Sequence, residues 1–89
     1  MGYGFRWNDW NLEHATRHGR PVEEIEAVVR REARARRVGD CGQEKLRVEG
    51  RGLGGRVIEV VFVIDDDEDR HFFVIHAMPL TTRRRRNRS

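Results

Sequence analysis

The chain has 89 residues, of which 37% are charged and 37% hydrophobic, and a formal net charge of +3. That is room for one domain, residues 1–89, with a modest core, and the longest apolar run, Val60 to Ile64, is far too short to span a bilayer. Cys41 is the only cysteine, which excludes an intrachain disulfide; with no long apolar stretch at the N-terminus, the expectation is a cytoplasmic chain that makes no use of a membrane.

Tyr3-Gly4-Phe5-Arg6-Trp7 alternates bulky with small or polar residues, as a short strand does, and Asn8 or Asp9 is suited to cap a helix behind it. That helix runs through Trp10, Leu12, Ala15 and His18 and stops at Gly19, because glycine enters the left-handed cap conformation freely. Pro21 opens a second helix with Glu23, Glu24 and Glu26 near its positive end. Val22, Ile25, Val28 and Val29 recur at spacings of three and four, so it has one apolar face, and the two helices are expected to pack as a pair.

From about Ala33 the period changes. Leu46 and Val48 alternate with Lys45, Arg47 and Glu49, the pattern of a strand with one wet face. Arg51-Gly52-Leu53-Gly54-Gly55 then supplies a hairpin connection. Val57 to Ile64 is nearly all β-branched or aromatic, as in a strand buried on both faces. Asp65 to Asp69 must be a solvated turn, since five adjacent carboxylates resist burial. His71 to Ala77 returns as the next strand, and Thr81 can cap a last short helix. The expected fold is α+β, with two N-terminal helices on a four-stranded antiparallel sheet and a short C-terminal helix. Its core would draw on Ile25, Val28, Val29, Val57, Val61, Phe62, Phe72 or Phe73, and Ile75.

The charge is local. Taking the five arginines of residues 83–88 from the 18 Lys+Arg leaves 13 against 15 Asp+Glu, so the body carries −2. A cationic cluster directly behind a strand is held in register against the sheet, and such a cluster binds phosphate; nucleic acid is the first partner to consider.

His14 and His18 have the spacing of a metal-binding pair, but neither the glutamate of a zincin motif nor an obvious third ligand accompanies them, so no metal and no cofactor are assigned. His18 is expected instead to brace the helix junction at Gly19. The run Asp65 to Asp69 lacks the ligand spacing and glycine of a calcium loop. The glycines from Gly50 to Gly55 open no helix, so they are turn residues rather than a phosphate fingerprint. His71 and His76 lie on the strand that feeds the arginines, and their odd offset places them on opposite faces. His76 is nearer to Arg83 to Arg86. An imidazole beside guanidiniums suits proton transfer in RNA cleavage, and the same ring would equally serve to pack under the last helix.

The chain resembles the BrnT-type toxins, small proteins of type II toxin-antitoxin systems encoded beside ribbon-helix-helix antitoxins. The resemblance rests on Phe5-Arg6-Trp7-Asn8, Asn11-Leu12-Glu13-His14, Arg17-His18-Gly19 and Val22 to Val29, then on the glycine-linked strands and Ile75 to Arg86. It spans nearly the whole chain in order. It implies a RelE-like fold, metal-independent endoribonuclease activity that arrests translation, and a hetero-oligomer with a DNA-binding antitoxin. In that family Ala-Arg commonly stands where this chain has Ala77-Met78, and glutamate where it has Arg84. The first departure removes a cation from the strand end.

The site expected on these grounds has His76 and His18 as proton-transfer candidates with Arg83 beside them, and Arg56, Arg83, Arg85, Arg86 and Arg88 on phosphate. The alternative is a non-catalytic module whose arginines grip nucleic acid or an acidic protein, its histidines being structural.

Overall fold

The structure is a computed structural model that describes residues 4–36, 45–65 and 71–80. Its elements are β1 (Gly4–Phe5), α1 (Asp9–Thr16), α2 (Val22–Arg36), β2 (Lys45–Arg51), β3 (Val57–Asp65) and β4 (His71–Pro79). The short C-terminal helix expected after Thr81 and the turn at residues 66–69 lie outside the described residues.

The four strands form one sheet in the order β1-β4-β3-β2. The sheet is mixed rather than antiparallel throughout: β2, β3 and β4 form a meander, but β1 pairs in parallel with β4. Hairpins reverse direction at each turn, whereas β1 reaches β4 only after the chain has run through both helices and two strands, and such a crossover permits parallel pairing.

Asn8 caps α1. Its side-chain oxygen accepts from the Asn11 backbone N–H at 3.0 Å, and the Asn11 side-chain oxygen accepts from the Asn8 N–H at 2.7 Å. The fully buried Asn11 also donates to the Arg6 carbonyl at 3.0 Å, so one side chain closes the β1–α1 corner. Trp7 donates to Glu26 at 2.8 Å, tying this corner to α2. Gly19, at φ 86°, makes the sharp exit from α1 in a region a side chain would strain.

Ile25, Val28, Val29 and Ala33 are buried at helical spacing on α2, which lies on β2 and β3. Facing them are Val48, Ile58, Val60, Phe62, Ile64, Phe72, Val74 and Ala77. The helices do not pack as a pair. They touch only slightly, and α1 packs on β4 instead, because β1 covers only the first two residues of that strand. Strand β3 is not buried on both faces either: Ile58, Val60, Phe62 and Ile64 point into the core, while Val57, Val61 and Val63 are half-buried opposite. Val57, Val61 and Ile75 therefore stand outside the deep core, and of the two phenylalanines Phe72 enters it.

A bulge decides the last of these. Val61 pairs with His76, but Phe62 pairs with Val74, so Ile75 is an extra residue on β4. His71 pairs with Asp65 and His76 with Val61, an even separation on β3, which puts both histidines on one face. The opposite-face expectation fails because simple alternation does not survive the inserted residue.

Candidate nucleic-acid interface

The face of the sheet away from α2 gathers most of the chemistry. Reading across β2, β3 and β4, one row is Arg47, Val61 and His76; on either side of it lie Lys45, Val63 and Phe73, and Glu49, Glu59 and Met78. Helix α1 runs beside β4 in the same direction, so Trp10 meets Phe73 and His18 meets His76. The His18 and His76 rings are 5.5 Å apart between centroids and inclined at 78°. His18 is exposed and His76 half-buried. His18 thus contributes to this face rather than only bracing the turn at Gly19.

Trp10 and His14, four apart, share one flank of α1, and His18 follows in the turn directly after the helix. The Trp10 and His14 rings stack at 4.0 Å and 23°. His14 Nδ1 lies 2.7 Å from the Trp10 carbonyl oxygen; the carbonyl can only accept, so Nδ1 carries the proton. His14 and His18 therefore engage different neighbours, His14 the indole and His18 the imidazole of His76. Among the described residues no three His, Cys, Asp or Glu side chains gather as a metal site requires.

Arg47 donates from Nε to Glu59 Oε2 at 2.7 Å and from Nη2 to Glu49. The hydrogen bond to Glu59, and then that carboxylate's charge, raise the guanidinium pKa further above an already high value. Arg47 is a permanent cation already engaged by two carboxylates. Glu59 is buried, and Met78 lies directly opposite it on β4.

Of the expected phosphate ligands, Arg56 is exposed in the β2–β3 turn. Leu80 donates its backbone N–H to the Val57 carbonyl at 2.9 Å, so the chain leaves β4 beside that turn. Arg83, Arg85, Arg86 and Arg88 lie outside the described residues. The structure brings together His18 and His76, from positions far apart in the chain, and places Arg56 near the end of the same sheet. Arg47, Glu59 and Trp10 were not singled out from the sequence. The four-residue spacing of Trp10, His14 and His18 was a usable signal for the indole, whereas the Arg47–Glu59 contact depends on strand register.

No helix among the described residues is long and apolar enough to cross a membrane. No family model matches the chain, and comparison with curated proteins and with solved structures finds no match either.

Proposed function

We propose that this protein is the toxin of a type II toxin-antitoxin pair, with a RelE-like architecture, and that it cleaves RNA without a metal. The observation that carries the reading is the convergence of His18 and His76 on the sheet face away from α2, 5.5 Å between ring centroids. Imidazole is the side chain that changes charge near neutral pH, and two of them can serve one as base and one as acid. The base removes the 2′-hydroxyl proton, the 2′-oxygen bonds to phosphorus, and the 5′-oxygen leaves with a proton from the acid. The products are a 2′,3′-cyclic phosphate and a 5′-hydroxyl. Arg56 and the arginines at 83, 85, 86 and 88 would offset charge on the phosphate, and a ribbon-helix-helix antitoxin would neutralise the toxin.

The test is digestion of total RNA by the purified protein in chelator. Cutting that leaves cyclic phosphate is expected, slowed by about 10²–10⁴-fold in His76→Ala and in His18→Ala at matched folded fraction. Undiminished cutting by His76→Ala would remove that ring from the chemistry. Deleting residues 83–89 should lower the salt slope of RNA binding by about 0.7 for each phosphate that is no longer neutralised.

A non-catalytic binding module is the second reading, and one feature favours it. The guanidinium in the same cross-strand row as His76 is committed to Glu59 and Glu49, and Met78 adds no cation at the strand end. Failure of the folded chain to cut RNA while still binding it would establish this reading over the first.

A further inference from the structure

Trp10 is the largest side chain of α1 and is 49% exposed, an unusual position for an indole on a helix that otherwise buries Asn11 and Ala15. Its exposure is not looseness. His14 stacks on it at 4.0 Å and is itself tied to the Trp10 carbonyl, and Phe73 lies 6.3 Å away with its ring only 8° from parallel. Three rings thus hold a flat aromatic surface in one orientation at the rim of the face that carries His18 and His76. A platform ordered beforehand loses little entropy when a flat ligand settles on it.

The surroundings define the ligand. Exposed Arg17 follows one turn after His14, and exposed Lys45 shares a cross-strand row with Phe73. Arg17, one turn beyond His14, and Lys45, across the same sheet face, match a ligand that alternates planar rings with negative charge, which is a single-stranded nucleic acid. A duplex keeps its bases stacked on one another and offers no free ring face.

We infer that Trp10, held by His14 and Phe73, is a stacking subsite for an unpaired nucleobase next to the His18–His76 pair. The inference rests on the proposed RNA-directed function and specifies its substrate as single-stranded at the nucleotide beside the site. A base fixed on Trp10 would set the neighbouring phosphate over the two imidazoles, so Trp10 is a positioning residue.

The experiment uses a short 2′-O-methyl oligouridylate, which lacks the attacking hydroxyl and so binds without being cut. An abasic oligomer of equal charge is the control. In a Trp7→Phe background, where Trp10 is the only indole, the oligouridylate should quench the fluorescence and the abasic oligomer should not. Trp10→Ala should weaken binding by about 5- to 150-fold, the range for loss of one stacked base, while the salt slope stays unchanged. Trp10→Phe should restore most of the affinity. The quenching measurement leaves position 10 intact, so it decides the matter even if Trp10→Ala folds poorly. Equal quenching by the abasic oligomer, or full affinity in a folded Trp10→Ala, would overturn the subsite while leaving RNA binding standing. Absence of any RNA binding by the unaltered chain would overturn both, and quenching by polyglutamate alone would assign the surface to an acidic protein segment.

Discussion

Gly52→Ala replaces a residue whose backbone lies outside the left-handed region, so backbone conformation does not demand glycine there. Space does. A Cβ at position 52 would fall on the Glu24 carboxylate, meeting its oxygen and two of its carbons, so moving the tip of the side chain is not enough. Glu24 has a side chain only 1% exposed and accepts from Arg20 Nη1 at 2.9 Å. Alanine at 52 must therefore either turn the carboxylate off Arg20 or push the β2–β3 turn away from α2. Breaking a buried ion pair by displacing one member costs about 3–5 kcal/mol; Arg20 retains 26% exposure, which favours the low end, about 3 kcal/mol. Against a total stability of about 5–15 kcal/mol, that lowers the melting temperature by about 12–24 °C and the urea midpoint by about 1–3 M. Urea unfolding followed by circular dichroism measures it. The decisive arm is a double-mutant cycle: in a Glu24→Ala background the obstacle is gone, and Gly52→Ala should then cost almost nothing. A cost in the single variant below about 0.5 kcal/mol, or equal costs in both backgrounds, would refute the steric account.

Phe62→Ala should destabilise by about 3–5 kcal/mol, since its ring is fully buried against Phe72, whereas Val61→Asp next to it should cost only about 1 kcal/mol on the outer face; thermal melts of the two variants check the contrast. Asn8→Ala removes the oxygen that accepts from Asn11 and should cost about 1 kcal/mol, with hydrogen exchange accelerating at the first turn of α1. Met78→Arg places a cation directly opposite Glu59 and should add about 0.2–1 kcal/mol, a gain that disappears when Glu59→Gln is also present.

Local rules account for much of this protein. The cap at Asn8, the left-handed turn at Gly19, the apolar stripe of α2 and the alternation of β2 are written in neighbouring residues, because helix ends and period depend on contacts within a few positions. Helix α1 nonetheless ends at Thr16, short of the His18 expected to close it. The α+β class follows from those elements in order. The hydrophobic run from Val57 to Ile64 concealed its own alternation, since valine occupies both the buried and the half-buried face and only the covering helix distinguishes them. Parallel pairing of β1, the seat of α1 on β4 and the bulge at Ile75 are relations between distant segments. That bulge turns His71 and His76 to the same face, and the seat of α1 brings His18 to His76. The histidines and arginines were nameable from sequence by their chemistry; which of them meet, and that Trp10 stands beside them, was decided by tertiary packing, because side chains far apart in the chain become neighbours only when the core beneath them fixes the strand register.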